Sequence, residues 1–231
     1  MGVRLDPAVR RKQILDAAIS YFTEAGFGVQ TRELARRIGI SQPLLYRYFP
    51  SKNDLINAVF DAVFLSQWNE NWITQLHDRS IPLRDRLLRF YAQYAQATYT
   101  PEWIRIYMYA GLAGLDFNRK YLGLVRTRLL TAMCLEFRLE FASPQQCEHV
   151  PEVSAREIEL VWTLHGSMFY AAVRENIFNM KTPITHDCRA QDAIDIFLAG
   201  ACSTYPRVLE QVWADRKLPR EKSKGGASAS S

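Results

Sequence analysis

Hydrophobic side chains recur every three or four residues along most of this 231-residue chain, and this spacing is typical of amphipathic helices. Near the start, Ile14, Ala18 and Phe22 share one face of a helix predicted over 7–25, which Gly26 ends. The same period predicts further helices over 82–100, 102–113, 116–141, 154–180 and 187–216. Strand-like alternation of apolar and polar residues is not evident, so the pattern predicts an all-α protein.

The stretch 31–50 indicates a helix, a turn and a second helix. The positions predicted to face inward are Leu34, Ala35, Ile38, Leu45 and Phe49. Gly39 follows the first helix at a point where the chain often needs a positive φ. Ser41 is a residue type that caps the start of a helix. This segment therefore predicts a helix-turn-helix.

The outward face of the second helix carries a different set of side chains. These are Gln42, Leu44, Arg47 and Tyr48. An amide, an aliphatic chain, a guanidinium and a phenol suit base edges and phosphates better than they suit plain water. We interpret this helix as a recognition helix that contacts DNA.

Another helix is predicted after Pro50, where Ser51 and Asp54 have the spacing of a capping box. Its apolar face continues far enough to predict one long helix over 52–77, which leaves the DNA-binding unit and links it to the remainder. The predicted organisation is a helix-turn-helix domain with an N-terminal arm over 1–51, a larger helical ligand-binding and dimerisation domain over 52–217, and a disordered tail over 218–231.

Positions 11–60 resemble the DNA-binding domain of the TetR family of bacterial one-component regulators. The matching residues are Ile14-Leu15-Asp16-Ala17-Ala18, Phe22, Gly26, Arg32-Glu33-Leu34-Ala35, Gly39-Ile40-Ser41, Leu45-Tyr46-Arg47-Tyr48-Phe49 and Ser51-Lys52-Asn53-Asp54-Leu55. So many positions at fixed offsets make a specific signal, although the rest of the chain resembles the family only in length and in being helical. The sequence departs from the pattern in two places: Gln30 replaces the usual Ser or Thr cap, and Pro43-Leu44 replaces a common Gly-Thr pair.

The resemblance implies phosphate contacts at Thr31, Tyr48 and Lys52. The predicted DNA-binding set is Thr31, Arg32, Gln42, Pro43, Leu44, Arg47, Tyr48 and Lys52. A second interpretation stays open for Lys52: it is an ordinary exposed lysine at the start of a helix and contacts no phosphate. The helix N-terminus there favours an anion. The departure at Pro43-Leu44 means that no operator sequence can be transferred from the family.

The distribution of charge agrees with a polyanionic partner. The formal net charge is +5, and residues 1–60 contain nine basic side chains against five acidic ones, whereas the remainder is nearly balanced. No apolar run approaches the ~20 residues that span a bilayer. The first twelve residues also lack the apolar segment of a secretory signal. The sequence therefore predicts a cytoplasmic protein that is not embedded in a membrane.

Motifs that would indicate catalysis or metal binding are not evident. The four cysteines, Cys134, Cys147, Cys188 and Cys202, form no Cys-x-x-Cys pair, and His149 beside Cys147 lacks the further ligands that zinc requires. Nucleophile-elbow, phosphate-loop and zinc-protease motifs are also absent from the sequence. We therefore predict neither an enzyme, nor a cofactor, nor a metal site.

Large aromatic residues are frequent in the predicted second domain. Aromatics at helical spacing fill a core more often than they line a pocket, and a hydrogen-bonded core position is the commoner explanation for the histidine among them; both alternatives stay open. The predicted ligand-binding set is Trp68, Trp72, Tyr91, Tyr94, Trp103, Tyr107, Phe117 and His165, with Gln93 and Arg105 as further polar contacts. The ligand expected there is a small apolar or aromatic molecule.

The last two predicted helices carry apolar stripes too wide for a single packed neighbour, which predicts a two-fold interface. The predicted interface residues are Trp162, Phe169, Val173, Ile194, Phe197, Leu198, Ala201 and Tyr205. A dimer also suits DNA, because two recognition helices enter major grooves about 34–36 Å apart.

The function predicted is a homodimeric transcriptional regulator, with repression favoured over activation, that binds a palindromic operator in double-stranded DNA and is released by a small ligand. Two rivals remain: a helical enzyme or carrier with an added helix-turn-helix, and an architectural DNA-binding protein that senses no ligand. Substrate turnover would favour the first rival. A ligand domain packed without a cavity would favour the second.

Overall fold

A computed structural model describes residues 6–142 and 152–217, and every secondary-structure element in those ranges is a helix. The helices are α1 Pro7–Ala25, α2 Thr31–Ile38, α3 Gln42–Tyr48, α4 Lys52–Phe60, α5 Asn71–Leu76, α6 Leu83–Thr98, α7 Pro101–Leu112, α8 Phe117–Leu124, α9 Thr131–Phe141, α10 Ala155–Asn176 and α11 His186–Lys217. The predicted all-α class is confirmed. The predicted tail over 218–231 and most of the predicted N-terminal arm lie outside the described residues.

Helices α1 to α3 form a small bundle, with α2 and α3 arranged as the predicted helix-turn-helix. Its centre contains six side chains that are at most 1% exposed: Ile14, Ala18, Phe22, Leu34, Leu45 and Phe49. Gly39 ends α2 in the left-handed region at φ 71°, and the Ser41 hydroxyl accepts a hydrogen bond from the Leu44 N–H at 3.3 Å. Gln30 provides no side-chain cap, so α2 begins with an uncapped first turn.

The prediction of one long helix over 52–77 is wrong. The Ser51 and Asp54 capping box is present and starts α4, which continues as a π-helical turn over Asp61–Leu65. The helix then ends, and α5 begins only at Asn71. The residues between them favour a turn, because the Ser66 hydroxyl donates to the Ala62 carbonyl and the Asn69 side chain accepts from the Asn71 N–H.

The larger helical unit is built around α6, α10 and α11, with α6 and α10 both packed against α11. α8, a π-helical turn over Val125–Leu130 and α9 make a continuous helical segment over 117–141, as predicted. α10 ends at Asn176, earlier than predicted, and Asn179 follows at φ 54°. Within the described ranges, no helix is both long and apolar enough to cross a bilayer.

One buried carboxylate ties the loop after α5 to α9. Glu136 is 1% exposed and accepts hydrogen bonds from His77, Arg79 and Arg86, with the Arg86 bond at 2.7 Å. Burial acts to raise the pKa of Glu136, but the three hydrogen-bonding partners outweigh it and lower the pKa to about 2. Because removing one partner of a buried ion pair leaves an uncompensated charge, this cluster fixes how α9 packs.

Candidate DNA-binding surface and ligand domain

Helix α3 buries one side and presents the other to solvent. Leu45 and Phe49 hold its inner face in the bundle, and Arg47 and Pro43 are exposed on the outer face. Three further residues of the predicted DNA-binding set are partly exposed: Gln42, Leu44 and Tyr48. The outer face therefore offers one free guanidinium among side chains that can contact base edges.

A hydrogen-bonded cluster fixes the angle between α2 and α3. The Thr31 and Tyr46 hydroxyls are 2.8 Å apart, and the Gln42 amide donates to the Thr31 hydroxyl at 3.2 Å. Thr31 is 8% exposed, so its hydroxyl is occupied within the protein. Tyr46 had no predicted role, because its partner lies fifteen residues away and no local pattern indicates the contact.

Four of the predicted DNA-contacting residues line one open cleft of about 450 Å³: Thr31, Arg32, Gln42 and Lys52. The Lys52 ammonium donates to the carbonyl oxygens of Phe27 at 2.6 Å and Val29 at 2.7 Å. It thereby closes the α1–α2 loop onto the start of α4. Two of its three protons are used, which leaves one for an anion in the cleft.

The cations of the bundle fall into two groups. Arg36 is paired with Glu33 at 2.6 Å, and Arg37 is paired with Glu24 at 2.7 Å. Neither Arg32 nor Arg47 has an acidic partner within 4.0 Å in the described part of the chain. Arg10 and Arg11 of α1 likewise have no acidic partner among the residues that the structure describes, so the uncompensated positive charge lies on α1, at the start of α2 and on the outer face of α3.

The predicted ligand-binding aromatics are packed ring against ring. Trp103 stacks on Tyr107 with centroids 5.0 Å apart, and Trp72 meets Tyr94 edge-on at 5.2 Å. The members of the predicted set that are at most 4% exposed are Trp72, Tyr91, Tyr94, Trp103, Phe117 and His165. Trp68 is partly buried in the turn before α5, where its ring packs edge-on against Trp72 at 5.6 Å and its indole N–H donates to Glu70. This packing resembles a core, which is the commoner of the two alternatives.

Several polar atoms in the same aromatic cluster nevertheless have no partner within the protein. They are the hydroxyls of Tyr91 and Tyr99, the indole nitrogen of Trp103 and Nδ1 of His165. Burial lowers the pKa of His165 to about 4, so its ring is neutral at pH 7. The Tyr94 hydroxyl, in contrast, has a hydrogen-bonding partner, because it lies 2.8 Å from the Tyr121 hydroxyl.

The structure places the two further polar residues predicted to contact the ligand, Gln93 and Arg105, outside the aromatic cluster's ring contacts. Gln93 is exposed on the outside of α6. Arg105 points away from the aromatic cluster, and its Nε donates to the Thr23 carbonyl of α1 at 2.8 Å. Sequence spacing could not indicate this, because the partner is a backbone atom on a distant helix.

Helix α7 joins the two parts of the protein at the end of α1. Beside Arg105, the Tyr109 ring lies against Gly26, which has φ 70° and no side chain; a Cβ built there would lie 3.0 Å from the ring. The Tyr109 hydroxyl also donates to the Glu24 carbonyl at 3.4 Å. The end of α1 is therefore held by α7 through backbone atoms and a glycine.

The outer surface of α10 and α11 has an apolar groove of about 440 Å³. Its lining is Leu160, Thr163, Leu164, Ser167, Ala193, Ile196, Phe197, Gly200, Ala201, Thr204 and Tyr205. Ile196 stands at this surface with 75% of its area exposed. Phe197, Leu198 and Trp162 of the predicted interface are partly exposed.

Several residues of the predicted interface face inward instead. Val173, Ile194 and Tyr205 are at most 4% exposed within the single chain, and the Tyr205 hydroxyl donates to the Cys134 carbonyl at 3.2 Å. Phe169 packs on Tyr107 with centroids 5.3 Å apart. On a helix, residues two positions apart point to nearly opposite sides, so a shift of two residues in the predicted face exchanges inner and outer residues. The predicted set omitted Ile196, which faces outward. In the described ranges, no group of three potential ligands could hold a metal ion.

Comparison with known proteins places these features in a family. Residues 14–59 match a family model described as bacterial regulatory proteins, tetR family. The tetracycline repressor protein class D of Escherichia coli is 31% identical over 90 residues, which cover 36% of this chain and 41% of that protein. The transcriptional repressor KstR of Mycolicibacterium smegmatis is 46% identical over 56 residues, covering 24% of this chain and 28% of the repressor. The chain thus matches less than half the length of these curated relatives.

Similarity of fold extends over most of the helical protein. A TetR-like transcriptional regulator from Rhodococcus sp. RHA1 superposes with a TM-score of 0.62 at 22% identity, covering 87% of this chain and 100% of that one. A TetR-family regulator from Streptomyces coelicolor gives a TM-score of 0.59 at 20% identity and covers 96% of this chain and 95% of its own. These likenesses show that the N-terminal helix-turn-helix and the larger helical domain follow one shared fold.

Proposed function

Since the chain belongs to the TetR family of bacterial transcriptional regulators, we propose that it is a repressor that binds a palindromic operator as a homodimer and releases it when a small apolar or aromatic ligand binds. The observation that carries the proposal is helix α3, whose inner residues are locked in the bundle while Arg47 stands free on the outer face. The relatives are regulators and not enzymes.

On this proposal α3 enters the major groove and Arg47 contacts a base edge, since guanidinium groups pair with guanine there. Arg32, Lys52 and the uncapped first turn of α2 contact the phosphates beside the groove. Thr31 and Gln42 hold α2 against α3 through their mutual hydrogen bond. Gln42 can also turn its amide toward a base, because it is partly exposed.

The apolar groove on α10 and α11 supports the homodimer. Ile196 is a large apolar side chain in a position where a monomer would expose it to water, and an apolar patch of this kind is typical of an interface. Pairing α10 and α11 with their counterparts about a two-fold axis would cover the groove. It would also separate two recognition helices for successive major grooves, about 34–36 Å apart.

Helix α7 offers a direct path from a ligand to DNA. One side of it carries Trp103 and Tyr107 into the aromatic cluster, and the other side holds α1 through Arg105 and Tyr109. A ligand that displaces α7 therefore moves the end of α1 and the bundle attached to it. By linkage, ligand and operator must weaken each other by the same factor, typically 5–150-fold.

We place the boundary between the two domains at residue 52, at the capping box that starts α4. The cytoplasm, where the chromosome of a bacterium lies, is the compartment in which this function is carried out.

Selection of bound fragments from genomic DNA tests the proposed function. We expect a palindromic fragment to be enriched, and Arg47→Ala to relax its base preference at a cost of about 1–3 kcal/mol. Arg36→Ala is the matched control, because Arg36 is paired with Glu33. Enrichment of no sequence, or equal effects of both substitutions on base preference, would contradict the proposal.

A further inference from the structure

The unpartnered polar atoms of the aromatic cluster lie on residues that are close neighbours. The His165 ring is 6.0 Å from the Tyr91 ring and 5.2 Å from the Tyr94 ring. Tyr94 in turn lies 5.7 Å from Tyr99, and Trp103 joins the same group through Phe169 at 6.5 Å. Tyr91, Trp103 and His165 are each at least 96% buried, since their exposed fractions are 0%, 3% and 4%. Three elements, α6, α7 and α10, thus contribute unpaired polar groups to one connected cluster of rings.

Unpaired polar groups of this kind destabilise a protein, because each gives up its hydrogen bonds with water on burial and gains none in return. Native structures satisfy more than nine in ten of their buried polar groups, so a concentration of exceptions in one cluster requires a reason. Ligand sites are apolar surfaces with a few placed polar groups, which is the composition of this cluster. A bound molecule would supply the missing partners.

The chemistry of the cluster restricts what that molecule can be. The ring neighbours of its polar groups are aromatic side chains and, beside Tyr99 at the surface cavity, the imidazole of His186. The buried ions of the domain are committed to each other, Glu136 to Arg86 and Glu157 to Arg138. A charged ligand would therefore find no counter-charge and would lose its hydration, which is costly.

The donor pattern gives the second restriction. The indole N–H of Trp103 can only donate, so it needs an acceptor oxygen or nitrogen. A tyrosine hydroxyl can donate or accept, and a neutral histidine nitrogen does one or the other according to its tautomer. Each of the three groups can be paired by a carbonyl or hydroxyl oxygen on an otherwise hydrocarbon body.

Resting on the proposed function, we infer that the effector is an uncharged, largely hydrocarbon molecule that carries a carbonyl or hydroxyl oxygen and supplies hydrogen-bond partners to the unpaired groups of Trp103, Tyr91 and His165. The ligand separates rings that are in contact in the empty protein. It enters beside Tyr99, which belongs to the cluster and also lines a surface cavity of about 280 Å³ between α6, α10 and α11.

A matched pair of tyrosines tests the inference in the protein without any ligand. Tyr91→Phe removes an unpaired hydroxyl, so we expect the melting temperature to rise by about 2–4 °C. Tyr94→Phe removes a hydroxyl that is paired with Tyr121, so we expect a fall of similar size. Both tyrosines are fully buried, and both substitutions delete only the phenolic hydroxyl. A fall for Tyr91→Phe would show that its hydroxyl is already satisfied and would overturn the inference.

Three probes of one size test the chemistry of the ligand directly: 2-acetylnaphthalene, naphthalene and 2-naphthoate. Tryptophan fluorescence should report binding of 2-acetylnaphthalene at least tenfold tighter than naphthalene or the carboxylate. Trp103→Phe should remove most of that tenfold preference, because the indole N–H is lost while an aromatic ring remains. Preference for the carboxylate, or binding of none of the three up to the solubility limit, would overturn the inference.

The outcome can be separated from that of the proposed function. Operator selection uses no ligand, so specific DNA binding with no probe binding defeats the inference about the effector alone. Failure to bind any operator defeats the proposed function even if the probes bind. Binding of 2-acetylnaphthalene that leaves operator affinity unchanged would show a site that is not the regulatory one, and would overturn the inference as well.

Discussion

Replacing Lys52 by methionine separates two roles that the structure gives to one ammonium group. Its two hydrogen bonds to the carbonyls of Phe27 and Val29 are charge-assisted, and such bonds contribute about 1.5–3 kcal/mol each when buried. Lys52 is only partly buried, so we expect the pair together to contribute about 2 kcal/mol. Methionine keeps the aliphatic stem, so the substitution acts mainly on the hydrogen bonds.

In a chain of this size each kcal/mol corresponds to a shift of about 2–4 °C, so Lys52→Met should lower the melting temperature by about 4–8 °C. If the third ammonium proton also binds a phosphate, the slope of log K against log salt concentration should fall by roughly 0.9 for each phosphate that is no longer neutralised. Calorimetry measures the first effect, and operator titrations at several salt concentrations measure the second.

Arg32→Met is the matched control, because Arg32 lines the same cleft but has no acidic partner among the described residues. It should reduce the salt slope without changing the melting temperature. An unchanged melting temperature for Lys52→Met would refute the proposed closure of the α1–α2 loop. An unchanged salt slope would remove Lys52 from the set of phosphate-binding residues.

Three further predictions concern the interface, the buried carboxylate and the path through α7. Ile196→Asp should produce a monomer in sedimentation, whereas Leu112→Asp, at an 84% exposed position away from the groove, should leave the dimer intact. Because the folded pKa of Glu136 is depressed from 4.5 to about 2, its stabilisation of about 3 kcal/mol should be complete above pH 4.5 and lost as the pH falls toward 2. Urea unfolding from pH 6 to pH 2.5 measures that loss, and Glu136→Gln should flatten it. Arg105→Met should bring the factor by which an effector changes operator affinity toward one, as measured in operator titrations with and without effector; an unchanged factor would exclude Arg105 from the path.

The sequence predicted the helix-turn-helix well because its determinants are local. Gly39 needs a left-handed backbone, Ser41 caps the next helix, and Leu45 and Phe49 share a face, and each of these features depends on residues within one or two turns. The break after Leu65 was missed because the apolar pattern continues across it. Only the hydrogen bonds of the intervening polar side chains end the helix there.

The roles in the larger domain could not be predicted because they depend on contacts between distant residues. Arg105 was predicted to meet a ligand, but its partner is a backbone carbonyl in α1 that lies 82 positions away. Tyr91 and Tyr94 are three residues apart with the same side chain and the same burial, and only the packing of α8 gives one a partner and leaves the other without. Periodicity indicates that such residues are inside; it does not indicate what they meet there.

The contact between Gly26 and Tyr109 sets how closely α7 approaches the end of α1, so a larger side chain at position 26 would increase that distance. Gly26 has a left-handed φ and the aromatic ring rests directly on its backbone, so any added side chain would strain the turn and push α7 away from α1. Substitutions of increasing size at position 26 should therefore move the larger helical domain stepwise away from the helix-turn-helix domain. If the proposed function holds, they would alter the dose–response curve for the ligand without changing the residues that contact the ligand or the operator.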